Sequence, residues 1–525
     1  MLGGSSGSPS PARMLASSQN DDCGREHPRR SGVSSVHRSE RHGAMTTREQ
    51  VAHLLRRFGF GASRAEIQFY EKLGVDGTIE RLVHYEKYPL GFTIDLVKLL
   101  PRRDGVIQVN PVFMGAYWSA RCVLTERPLE EKLTLFWHDH FAVSASKVNN
   151  PFMMMQYVDT LRKHANGNFR VLLEAASKDP AMMQWLDSQT NVAGKPNENF
   201  AREVMELFTL GIGHYTEKDI QEAARAFTGW AWRANPALRR ARQDPTALEE
   251  VLKSGEPLFE FVERILQHDR GEKTVLGRQG AFRGDDILKI LLEREECPKL
   301  LARKLWEWFA YMNPDDKIVD ALASQIRRND FEIKPALEWI AKSDEFWSEK
   351  CVRKLIKSPA DFCIPLARQF DLGVLAKPLV ENPPQNSRGG AFAFLGGVYQ
   401  AMARQGMQLL YPPDVAGWDW GDAWISTSTM TERIRFADTI ANQRGPIVSF
   451  GPAMVTQANV RTSSEAVDFL LEVTDAAIPT NRRGELAKTI DAVGGVQALS
   501  QARTAGTVLN GTLKVLFAAP EFHLC

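Results

Sequence analysis

The chain has 525 residues, with 65 Lys and Arg against 64 Asp and Glu, and 43% hydrophobic residues. That balance excludes a general nucleic-acid binder, which needs a surplus of cations to displace phosphate counterions. It is also a composition typical of globular proteins, at a length ample for a large core.

No run reaches the about 18 apolar residues of a membrane span, and no apolar signal-peptide core opens the sequence. As written, the chain reads as cytoplasmic. Cys23, Cys122, Cys297, Cys351, Cys363 and Cys525 are scattered and form no C-x-x-C pair, which points to reduced, mostly buried thiols.

Residues 1–44 are rich in Ser, Gly and Arg and almost free of large apolar side chains. Such a segment predicts a disordered tail, and Met45 is an alternative start of translation. Without the tail's six Arg and four acidic residues, 59 basic and 60 acidic groups remain, a net of −1.

From Met45 onward the signals predict a mainly α fold, a multi-helical body with few short strands and long irregular insertions. Thr47-x-x-Gln50 and Ser63-x-x-Glu66 fit capping boxes, with Gly59, Gly61 and Gly74 as stops. Pro111 and Pro128 suit first helical turns. Asn197 is placed to cap a helix that Gly211 ends. Thr216-x-x-Asp219 opens the next helix, whose Ile220, Ala223, Ala224 and Phe227 share one face. Further helices are expected at about 285–294, 298–311, 315–328, 334–342, 358–370, 430–443, 464–477 and 506–518. A short strand is expected at Lys273–Leu276. Two loop-rich insertions stand out, 231–257 with Arg239, Arg240 and Arg242, and 377–391 with Pro383, Pro384, Gly389 and Gly390. The second divides an N-terminal helical region, 45–376, from a C-terminal one, 392–525.

Several segments together carry a family resemblance: HLLRRFGFGAS (53–63), LFWHDHFAVS (135–144), PNENFAREVMELFTLGIGHYTEKDIQEAARAFTGW (196–230), HDRGEKTVLGR (268–278), LARKLWEWFAYMNP (301–314) and YPPDVAGWDWGDAWIST (411–427). In this order they resemble the bacterial "domain of unknown function 1800" family over nearly all of 45–525. The resemblance implies no reaction, because that family has no assigned activity. It does imply a partner, since its members often sit beside genes of a second family, domain of unknown function 1501. Many relatives look exported, whereas this chain shows no readable signal.

The chemistry-bearing residues cluster. Apart from three tail histidines and His523, every histidine lies between His53 and His268. His138 and His140 can share a divalent metal if their segment is extended, but diverge by about 200° on a helix. On the helix that follows Asn197, Glu203 and Glu206 lie on one arc with Asn199. There Glu203 is a third candidate ligand and Glu206 a ligand or general base. The alternative is a salt-bridged edge of Glu198, Arg202 and Glu206. His268 is a candidate outer acid or base, with Asp269 either orienting it or forming a turn. Trp418, Trp420 and Trp424, beside Asp414, Asp419 and Asp422, suit either a saccharide-binding loop or the anchoring of a loop into the core. No phosphate-binding loop, dinucleotide fingerprint, nucleophile elbow or H-E-x-x-H motif occurs.

Three functions compete on these residues. The first is a non-catalytic helical binding or scaffold partner for a product of the 1501 family. The second is a metal-dependent hydrolase built on His138, His140, Glu203, Glu206 and His268. The third is a saccharide-binding protein built on the tryptophans.

Overall fold

The Ser63 hydroxyl accepts a hydrogen bond from the backbone N–H of Glu66, and the Glu66 carboxylate accepts one from Ser63. This reciprocal cap opens the helix Arg64–Val83 where the sequence places it. Thr216 and Asp219 do the same for Glu217–Ala226. The first helix, Thr47–Arg57, is capped one residue earlier than expected, by Thr46 with Glu49. Pro111 and Pro128 occupy first turns, of Pro111–Leu124 and Pro128–His140. Gly74 kinks its helix at φ 68° rather than ending it. Asn197 stands just before the helix start, its side-chain oxygen accepting from the N–H of Asn199.

The structure, a computed structural model, describes residues 45–525 except 94, 104–105, 241–243, 245, 383–389 and 442–445. The expected tail, Arg242, Pro383, Pro384 and Gly389 lie outside the described residues. The protein is mainly α. The helices expected in its second half form at Gly284–Glu293, Glu296–Phe309, Asp316–Arg328, Ile333–Lys342, Pro359–Gln369, Thr427–Ala441, Ser463–Val473 and Ala502–Ala518.

Strands among the described residues make three antiparallel ribbons of two strands each. Lys273–Val275 pairs with Arg278–Gly280. Trp230–Ala234 pairs with Phe259–Glu263, Trp232 opposite Phe261. The insertion 231–257 is therefore more ordered than its loop-like composition suggests, and holds the helices Pro236–Arg240 and Thr246–Ser254 as well.

Residues Met45–Cys525 form one compact unit. Pro111–Leu124 crosses Gly390–Arg404 so closely that a Cβ on Gly115 would lie 2.5 Å from the Tyr399 ring. Near the start of the unit, Arg56 pairs with Asp475. Glu131 is fully buried and held by Arg121 at 3.0 Å, Arg162 at 2.8 Å and the Trp118 indole N–H at 2.9 Å. Burial works to raise its pKa, but Arg162 and Arg121 outweigh it and keep the carboxylate below its ordinary range. This triad ties Pro111–Leu124, Pro128–His140 and Pro151–His164 together and fixes the position of the His138–His140 segment.

Candidate functional site

His138, Asp139 and His140 form the last turn of the helix Pro128–His140, so the two imidazoles point apart. His138 is fully buried against Trp118, Tyr157 and Trp418, with its ring stacked on Trp418 at 5.7 Å. Neither of its nitrogens has a hydrogen-bond partner, and burial pushes its pKa down to about 3. His140 is surrounded by Phe136, Phe141, Phe169 and Phe208, and its Nε2 lies 3.2 Å from the Phe208 carbonyl. Burial, reinforced by Lys304, holds it well below the ordinary histidine value. Both are neutral core histidines at pH 7.

The residue between them makes the specific contact. One oxygen of Asp139 accepts the backbone N–H of Trp418 at 2.8 Å, and the other accepts the indole N–H of Trp420 at 2.9 Å. Burial raises Asp139 to about 7, against the pull of these donors and of Lys304. Gly417 allows the approach. It sits at φ +93°, and a Cβ there would lie 2.4 Å from Asp139 Oδ1. Sequence reading passed over Asp139 because nothing local marks it; its partners lie in a distant loop.

Asn199–Glu203 begins as an α-helix and continues as a π-helix over Val204–Thr209. The wider turn sends carbonyls sideways. Leu207 O accepts from Lys304 Nζ at 3.3 Å, and Phe208 O faces His140. Such π-turns often mark functional positions.

Glu203 is half-buried, and its pKa is raised by burial, then by Glu206 and Asp414. Glu206 accepts a hydrogen bond from the Tyr215 hydroxyl. Arg202 pairs with Glu198 at 3.5 Å as anticipated, but its second partner is Glu217 at 2.7 Å rather than Glu206.

The remaining candidates are placed elsewhere or serve packing. His268 Nδ1 lies 3.0 Å from the Thr228 carbonyl. Its neighbour Asp269 turns away to Arg225, at 2.8 Å, and to the N–H of Gly271, at 2.8 Å. Trp418 and Trp424 are each 5% exposed. Trp420 is half-buried, its ring 4.4 Å from that of Trp308. These rings fasten the 411–424 loop to the helices. Among the described residues no group of three or more His, Cys, Asp or Glu side chains is arranged to hold a metal ion. The structure thus brings His138 to Trp418 and Glu203 near Glu206, but does not gather His138, His140, Glu203 and His268 at one point.

Four segments singled out in the sequence meet here: 135–144, 196–230, 301–314 and 411–427. Comparison with known families matches residues 53–524 to one described as a protein of unknown function, DUF1800. The chain belongs to the DUF1800 family. No curated protein and no solved structure matches it. In this DUF1800 protein, four of the six segments that carry the family resemblance build the junction around Asp139 and the π-turn.

The junction is buried, but one edge reaches the surface. After the π-turn, the link Gly211–Tyr215 takes two left-handed glycines, Gly211 at φ 86° and Gly213 at φ 90°. Ile212 between them is 78% exposed. The Tyr215 bond to Glu206 ties the link back to the helix. Beside it lies a surface cleft of about 470 Å³ lined by Leu210, His214, Glu296, Lys299, Leu300 and Arg303, among others.

Proposed function

We propose that this protein is a non-catalytic binding or scaffold partner, and that the Gly211–Tyr215 link with its adjoining cleft is its recognition element. The observation that carries this reading is Ile212, a large apolar side chain held out to solvent on a link anchored at both ends. Exposed apolar side chains on fixed backbone make good interface anchors, because little conformational freedom is lost when they are buried. The cleft beside it mixes apolar Leu210 and Leu300 with charged rims, the usual composition of a protein contact surface.

The partner we propose is a protein of the 1501 family, whose genes often sit beside those of this chain's relatives. Support for a binding role over a metal-dependent one also comes from His138 and His140, which point apart at the end of their helix, each packed among a different set of aromatic rings. The test is co-purification of the tagged full chain with a 1501-family gene product. Recovery of the product with wild type but not with Ile212→Asp supports the reading, and recovery of nothing above background with wild type removes it.

A further inference from the structure

A second feature lies where the first helix, the 353–361 segment and the end of the chain come together. Asp475 is bound by Arg56 and by Arg353, the latter at 2.9 Å. Asp361 is bound by Lys132 and by the Ser358 hydroxyl at 2.8 Å. Arg57 donates to the Cys525 sulfur at 3.0 Å and to the carbonyls of Phe309 and Ala310. Lys357 donates to the Phe522 carbonyl at 2.7 Å.

The charges do not balance. Among the described residues, the buried Arg56, Arg57 and Lys132 and the half-buried Arg353 and Lys357 face only two side-chain carboxylates, Asp361 and Asp475. Both carboxylates are already doubly engaged, and counting the α-carboxylate of Cys525 still leaves a cationic excess. Buried charge without compensation is costly, by several kcal/mol per ion in general terms. The excess shows in Lys357, which burial, with Arg353 and Arg56 nearby, lowers to about 8.

Between these groups is a cavity of about 20 Å³, lined by Arg56, Lys357, Asp361, Asp475 and Cys525 together with apolar residues such as Phe362. Arg56 is 8% exposed, and its Nε has no hydrogen-bond partner. Space for a single small species, an orphan guanidinium N–H and a lysine with one acceptor are what a monovalent anion needs.

We infer that this cavity binds a small inorganic monovalent anion of chloride's size, held by Arg56 and Lys357. The site would compensate the buried cations and so couple the first helix to the end of the chain. It is independent of the partner-binding reading.

The test uses the full chain and bromide or chloride as probe. Crystals soaked in sodium bromide should show an anomalous peak in this cavity. At constant ionic strength, replacing sodium gluconate by sodium chloride should raise Tm by about 1–2 °C, and Lys357→Met should lose that rise. A cavity holding only water, with no anomalous signal, overturns the inference, as does an equal Tm in the two salts. If Lys357→Met does not fold, the bromide experiment on the wild-type chain decides alone.

Discussion

Asp139 accepts the backbone N–H of Trp418, 279 residues further along the chain, at 2.8 Å. One carboxylate at a helix end thereby fixes the Trp-rich loop, through this bond and through the Trp420 indole N–H. Replacing Asp139 by Ala leaves two partly buried donors without an acceptor. We expect a loss of about 2–4 kcal/mol, read as a lower midpoint in denaturant, together with faster proteolysis within 411–424. Asp139→Asn should also destabilise, because its amide NH₂ faces one of the two N–H donors.

Gly417→Ala tests the same contact from the loop side. A Cβ at Gly417 would meet Asp139 Oδ1 and the Asp139 carbonyl at 2.4 and 2.6 Å, from a backbone at φ +93°. Clash and strain together should cost about 2 kcal/mol or more. A thermal melt unchanged from wild type would show that the loop does not close on Asp139 in this way.

Glu131 makes a sharper stability prediction. Glu131→Ala leaves Arg121 and Arg162 buried without their shared carboxylate, and about 3–5 kcal/mol should be lost. A loss below about 1 kcal/mol would mean that the triad is not closed in solution.

Acid stability follows from the buried histidines. His53, His138, His140 and His523 are all lowered, chiefly by burial, with His138 and His523 at about 3. The unfolded chain takes up these protons below about 6.5 and the folded chain does not. Their contribution is therefore present above about 6.5 and lost as pH falls towards 3. Asp139 and Asp179 act oppositely, since burial raises both to about 7; their contribution is full below about 4 and lost as pH rises through 7. His138→Leu gives up no hydrogen bond, so it should be near neutral at pH 7 and should flatten the stability slope between pH 4 and 6 by about 1.4 kcal/mol per pH unit.

The helical plan was legible because its signals are local. Ser63 with Glu66 and Thr216 with Asp219 specify caps within four residues. The first cap moved by one residue because Thr46-Glu49 and Thr47-Gln50 satisfy the same rule. The Trp230–Ala234 strand escaped because its partner begins at Phe259, beyond an Arg-rich stretch that reads as loop. The π-turn at Val204–Thr209 escaped because its apolar spacing also suits an α-helix, and only Lys304 and His140, from other helices, meet its displaced carbonyls. For the site, local motifs mark residue types, not the contacts that distant segments make with them. His138 and His140 drew attention as ligand types, while Asp139 between them has a role visible only once the 411–424 loop is in place.

The binding role is tested most directly by calorimetric titration of the purified 1501-type gene product into the wild-type chain, Ile212→Asp and Leu266→Asp. Leu266 is 94% exposed on a different turn and serves as a control for surface charge. The proposed binding role predicts saturable binding to wild type and to Leu266→Asp, with affinity at least about tenfold weaker for Ile212→Asp. Equal affinity for wild type and a folded Ile212→Asp, or no binding to wild type, would contradict it.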